Sequence, residues 1–238
     1  MEAVANKPLI QIENFGKSFK LHNLNRHIHA CHGISLTLNE GEFVGITGKS
    51  GSGKSTILKS IYRSYLPDVG AIYYDSKRFG YMNLYDATER QIIYLRKYEI
   101  GYVSQFLNVM PRTTAREIVE TAVLEMGHTL EVAREEAVSM LSHFELDKEL
   151  WDSYPVNFSG GEKLRLNVAA AMIKKPRLLL LDEPTASLDQ ASKLKVRELI
   201  EKLKQGGTTM LGIFHDIEFM SGLCDRQFNM EKDGGKFK

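Results

Sequence analysis

Nine consecutive residues, "GKSGSGKST" from Gly48 to Thr56, carry the densest chemistry in the chain. Over Gly48–Ser55 they fit G-x-x-x-x-G-K-[ST]. Glycines such as Gly48, Gly51 and Gly53 let backbone N–H groups, with Ser50 and Thr56 among the loop residues, wrap phosphate oxygens. Lys54 can reach the β and γ oxygens, and the Ser55 hydroxyl suits Mg²⁺. A second constellation lies downstream. Leu178 to Leu181 lead into Asp182 and Glu183, which puts two carboxylates at the C-terminal end of a buried strand, where ligands sit in sheets of this kind. Beside a phosphate loop, Asp182 can hold the Mg²⁺ shell and Glu183 can orient or deprotonate an attacking water. A third stretch, "FSGGEKLRL" from Phe158, sets Ser159, Gly160 and Gly161 before a run of helix formers. Serine there caps a helix, and the helix start is also a receptor for an anion; the turn itself leaves both readings open.

These residues work only if the right elements hold them. The strand "EFVGIT" runs directly into the phosphate loop, and "TILKSIYRSYL" follows with Ile57, Leu58, Ile61, Tyr62 and Tyr65 at helical spacing, a helix expected to stop at Pro67. "AIYYD" and "EIGYVSQ" read as strands. From Thr113 the pattern turns helical: Thr114 and Glu117 have capping-box spacing, and Ile118, Val119, Ala122, Val123 and Met126 form a stripe. A second helix, about 132–144, carries Ala133, Ala137, Met140, Leu141 and Phe144 on one side, while "AREEA" reads as its solvated face. Alternating helix and strand then resume through "LRLNVAAAMIKK", "RLLLLDEP", "KLKVRELIEKLK" and "TMLGIFHD". Strands this apolar are buried on both faces, as in a parallel sheet.

Composition narrows the function. The chain has 238 residues, enough for one α/β domain with a large core, and a net charge of +1 from 31 basic and 30 acidic side chains. No global basic field draws nucleic acid. No window approaches the roughly 18 consecutive apolar residues that span a bilayer. The N-terminal "MEAVANKPLI" lacks the pattern of an export signal, and two cysteines, Cys31 and Cys224, fit a reducing compartment, so a cytoplasmic location is expected. The run "HIHACH" would place His27, His29 and Cys31 on one strand face with His32 adjacent and His22 nearby, but a structural metal site usually needs four ligands, and a surface hairpin is the simpler reading.

Taken in order, the phosphate loop, Gln105 after a strand, "FSGGE", "LLLLDEPTASLD" and His215 in "GIFHD" make the chain resemble the ATP-binding-cassette ATPases along nearly its whole length. The resemblance implies a P-loop α/β fold over residues 1–238 as a single cassette domain, with a mostly parallel core sheet, an N-terminal antiparallel β subdomain and an inserted helical subdomain at approximately 108–172. It implies ATP and Mg²⁺ as cofactors and a homodimer, or a heterodimer with another cassette ATPase, that closes on two ATP molecules. In such a dimer Ser159, Gly160 and Gly161 would bind the γ-phosphate of ATP held by the partner's Lys54. Asp189 would connect the two sites, Gln105 would sense Mg²⁺ and water, His215 would contact the γ-phosphate, and Phe19 in "GKSF" would stack on adenine. Two positions depart from the usual pattern, which has leucine and glutamine where this chain has Phe158 and Glu162. An acidic residue in the first turn of a helix is favourable there.

Local text narrows the resemblance. "SIYRSYLPDVG", "GYVSQFLNVMPR", "NFSGGE" and "GIFHD" are similar to the PhnL-type cassette proteins of the bacterial carbon-phosphorus lyase (phosphonate) pathway. That implies an ATPase working with lyase subunits, at the step that joins a phosphonate to the ribose of a nucleoside triphosphate (ribose 1-methylphosphonate 5-triphosphate synthesis). Such a subunit needs no iron–sulfur cysteine cluster, and the chain has none. The alternative is the ATP-binding subunit of a membrane transporter with its permease. A chromosome-maintenance ATPase would bring a long coiled coil or a basic surface, and neither is visible.

Overall fold

The computed structural model describes residues 7–21, 26–104, 112–186, 188–214, 216–231 and 233. In chain order the elements are β1 (Ile10–Leu21), β2 (Arg26–Leu38), β3 (Phe43–Thr47), α1 (Lys54–Ile61), β4 (Val69–Ser76), β5 (Gly80–Asn83), α2 (Glu89–Tyr98), β6 (Ile100–Val103), α3 (Ala115–Glu125), α4 (Leu130–His143), α5 (Gly160–Met172), β7 (Leu178–Asp182), α6 (Gln190–Gln205), β8 (Thr209–Ile213), α7 (Ile217–Met220) and β9 (Arg226–Asn229). Strands β2-β1-β4-β5 form an antiparallel sheet, and β6-β7-β8-β3-β9 form a second sheet whose neighbours are all parallel.

The leucine run explains how these layers join. All five residues of β7 are buried. Because side chains alternate across a strand, Leu178 and Leu180 enter the core between the two sheets, whereas Leu179 and Leu181 enter the core shared with the helical block. Each such leucine contributes about 2 kcal/mol of burial, so both faces must be covered for the strand to sit where it does. Asp182 continues the alternation toward α1. Helix α3 starts on Thr114, whose hydroxyl and the Glu117 side chain form a reciprocal capping box, and it packs on α4 and α5 through Val119, Ala122, Val123, Ala137 and Leu141.

Two expectations need correction. Helix α1 ends at Ile61, not at Pro67: Arg63 has φ +64, and its side chain turns away to donate to the carbonyls of Leu84 and Tyr85. The histidine run does not keep one face either. Lys17 pairs with Cys31 but Ser18 pairs with His29, so Ala30 is an extra residue and a bulge flips the alternation. Cys31 is consequently buried while His29 and His32 are exposed. Ser18 Oγ lies 2.9 Å from His29 Nδ1. Among the described residues no group of three or more His, Cys, Asp or Glu side chains could hold a metal ion; His22 lies outside the described residues.

Candidate nucleotide site

The phosphate loop leaves the C-terminal end of β3 and enters α1. Gly48, Gly51 and Gly53 have φ of +143°, +78° and +86°. At Gly53 the need for glycine is double, because a Cβ would also collide with the Ala30 carbonyl that the β2 bulge brings against the loop. Helix α1 has no side-chain cap, so its first amides and positive dipole end face the loop. Ser50 is exposed on the loop and Thr56 is buried in α1. The Ser52 hydroxyl is buried without a partner among the described residues, a polar atom available to an anion in the loop.

Lys54 is only 4% exposed, and its Nζ donates to the carbonyls of Gly48 at 2.8 Å and Lys49 at 2.9 Å. Burial lowers its pKa, and the charges of Glu183 and Asp182 oppose that shift. The ammonium is thus tethered to its own loop while facing two carboxylates. Ser55 Oγ donates to Asp182 Oδ1 at 2.8 Å, joining the first turn of α1 to the end of β7. Tyr102 Oη donates to the other oxygen, Asp182 Oδ2, at 2.6 Å. Burial, then the bond to Asp182 and its charge, push the Tyr102 phenol above its ordinary value and keep it a donor.

Glu183 does not continue the strand. Its φ is +53°, a left-handed conformation that costs a non-glycine residue on the order of 1–3 kcal/mol and turns the side chain out of the alternation. Its N–H donates to Ile213 O at 3.2 Å, which anchors the turn to β8. Glu183 lines a cavity of about 250 Å³ with Thr185, Ala186, Lys193 and Asp216, and Lys193 pairs with Asp216 at 3.0 Å. Gln105 and His215 lie outside the described residues.

Phe19 is half-buried on β1, with Tyr65 edge-on to its ring at 5.1 Å and the Lys17 ammonium 5.6 Å from its centroid. Asp68 ties this strand down. It accepts from Lys17 Nζ at 2.7 Å and from Ser18 N at 2.6 Å, and its own N–H donates to Gly16 O.

Ser159 caps α5. Its hydroxyl accepts from Glu162 N, and the Glu162 carboxylate accepts from Ser159 N at 2.7 Å, so the glutamate that departs from the usual pattern completes a capping box. Ser159 and Gly160 are nevertheless exposed, and Gly161 sits beside Ser192 in the first turn of α6. That helix is capped by Asp189, which accepts from Ser192 N at 2.8 Å and is held below the usual carboxylate range by this bond. The starts of α5 and α6 therefore stand side by side. Sequence reasoning missed three contributors. Tyr102 stood in "GYVSQ" unread, Asp68 followed Pro67 without a signal of its strand-spanning role, and Asn167 donates to Ser104 O at 3.0 Å, tying α5 to the chain just before Gln105.

A glycine loop between strand and helix, with a buried lysine and an Asp-Glu strand end beside it, defines a P-loop nucleoside triphosphatase. The hard oxygen donors of Ser55 and Asp182 next to the Lys54 ammonium fit Mg²⁺ and a triphosphate. The ABC transporter family profile matches residues 31–186. The chain is 37% identical over 202 residues to the lipoprotein-releasing system ATP-binding protein LolD of Aquifex aeolicus, covering 85% of this chain and 87% of that one. It is 34% identical to the macrolide export ATP-binding/permease protein MacB of Brucella abortus over 90% of this chain, but spans only 32% of that relative's length. A solved dimer of the cassette MJ0796 bound to ADP and Pi superposes with a TM-score of 0.82 at 31% identity, covering 92% of this chain and 93% of that one. The chain belongs to the ABC transporter family, as an ATPase domain that binds and hydrolyses ATP.

Proposed function

We propose that two copies of this chain, or one copy and a related cassette, close on two ATP molecules in the cytoplasm, and that the resulting movement serves the carbon-phosphorus lyase pathway of phosphonate breakdown. The observation that carries the catalytic part is the Lys54, Ser55–Asp182 and Glu183 cluster at the ends of β3 and β7. Bound Mg-ATP supplies the phosphoanhydride to be cleaved. The loop amides and Lys54 cradle the phosphates, Ser55 and Asp182 hold the metal side, and Glu183 accepts a proton from the attacking water. Gln105 and His215 read the metal and the γ-phosphate. The exposed start of α5, with Ser159, Gly160 and Gly161, meets the phosphates of the opposite protomer, and Asp189 links the two sites. Phe19 stacks on adenine. Residues of about 108–172 act as the inserted helical subdomain.

The phosphonate assignment rests on the local stretches Ser60–Gly70, Gly101–Arg112, Asn157–Glu162 and Gly212–Asp216, and its partners would be lyase subunits. One observation favours a second reading: two of the relatives are named for lipoprotein release and macrolide export, which suits an ATP-binding subunit paired with a membrane permease. No helix among the described residues is long and apolar enough to cross a membrane. Affinity purification of tagged Glu183→Gln protein with Mg-ATP from phosphate-starved cells separates the two. Co-purifying lyase subunits without a permease are the expected result; a stoichiometric permease would replace the phosphonate reading with the transporter one.

A further inference from the structure

The Asp182 carboxylate has two oxygens with different partners: Oδ1 takes the Ser55 hydroxyl and Oδ2 takes the Tyr102 phenol. The register explains why Tyr102 can reach it. In the parallel pairing of β6 with β7, Tyr102 stands opposite Leu180, and side chains two residues apart share a face, so Tyr102, Leu180 and Asp182 all project toward α1. The Tyr102 ring is fixed from the side by Tyr62, at 5.0 Å between centroids. Tyr62 is held in turn by Arg96, whose guanidinium lies 4.7 Å from its ring and whose Nε donates to its carbonyl at 2.9 Å. Tyr62 and Arg96 thus brace the one phenol, Tyr102, that reaches this carboxylate oxygen.

We propose that Tyr102 is a positioning residue for the metal side of the ATPase site: by occupying Oδ2, its phenol orients the Asp182 carboxylate so that Oδ1 faces Ser55 and the cation. Outer partners that fix a ligating carboxylate tune metal affinity. Only a side chain with a donor at its tip performs this role, so phenylalanine fills the space without doing the work. Tyr102 also lies three residues before Gln105, so the strand leading into that segment is bonded to the same carboxylate.

The test is Tyr102→Phe in the full chain, with binding of a fluorescent ATP analogue followed first in EDTA and then as Mg²⁺ is titrated. The expected result is metal-free affinity within about twofold of the parent and a roughly tenfold rise in the Mg²⁺ concentration for half-maximal effect. Turnover at saturating Mg²⁺ should recover most of the parent value. In an Asp182→Asn background the same substitution should shift the Mg²⁺ dependence by less than about twofold, because the group it positions is gone. An unchanged Mg²⁺ dependence in the single variant would overturn the assignment. So would a metal-free affinity that falls in parallel, or a shift that persists when Asp182 is already replaced.

Discussion

Glu183 holds a left-handed backbone conformation immediately after a strand whose five residues are all buried. The strand fixes where the turn begins, and the bond from Glu183 N to Ile213 O fixes its direction, so the carboxylate is set apart from Asp182 although the two are neighbours in sequence. On the proposed reading, that separation lets one carboxylate serve the metal and the other the water. Glu183→Gln keeps the size and removes the proton acceptor; turnover should fall by at least about 100-fold while ATP affinity stays within about twofold, as read by phosphate release and equilibrium binding. Turnover near that of the parent would remove Glu183 from the base role. Much of this was legible in the residues alone: the loop motif, the acidic pair and the buried strand carry local signals. What was not legible is the Ser55–Asp182–Tyr102 chain, since it depends on register between β6 and β7, which no short motif encodes.

Among the elements, the start of α5 answers two demands. As a helix end it needs its free amides satisfied, and Ser159 with Glu162 does so. As an exposed turn it is, on the proposed reading, the anion site for the opposite protomer's phosphate. Ser159→Asp separates these demands, because aspartate is an equally good cap but sets a negative charge where phosphate would come. Urea unfolding should show stability within about 0.5 kcal/mol of the parent, and turnover should be lost; retained turnover would leave the turn a cap alone. Strand β1 makes a similar point. Its irregular pairing with β2 leaves Phe19 dependent on the Asp68 clip. Burial raises the Asp68 carboxyl, but the bonds from Lys17 and Ser18 outweigh it and hold the group below its ordinary value. A depressed carboxylate contributes stability above the unfolded value of about 3.9 and loses it as pH falls through the folded value. Asp68→Asn should therefore reduce the steepness of acid unfolding in that range and weaken ATP binding a few-fold, checked by pH-dependent melting and nucleotide titration. The β2 bulge was not legible in sequence, because nothing in "HIHACH" marks Ala30 as the residue that interrupts the alternation.

At the scale of the molecule, the fold sets two groups of residues on different elements of one chain: the phosphate loop, Asp182 and Glu183 at the ends of β3 and β7, and the start of α5 beside that of α6; on the proposed reading they are the two halves of an ATP site. The class of fold was legible because strands apolar enough to be buried on both faces alternate with amphipathic helices around a glycine loop. Boundaries were less so; α1 stops six residues before Pro67 because Arg63 adopts a left-handed conformation to reach the Leu84 and Tyr85 carbonyls. The central claim is that the two halves work in trans. The direct measurement is ATP hydrolysis by a mixture of Lys54→Ala and Ser159→Asp proteins, each nearly inactive alone. A mixed dimer has one site with both an intact Lys54 and an intact Ser159 from opposite protomers, so mixing should restore a substantial fraction of the parent rate. A mixture no more active than its components, under conditions where the parent turns over as a dimer, would contradict the account.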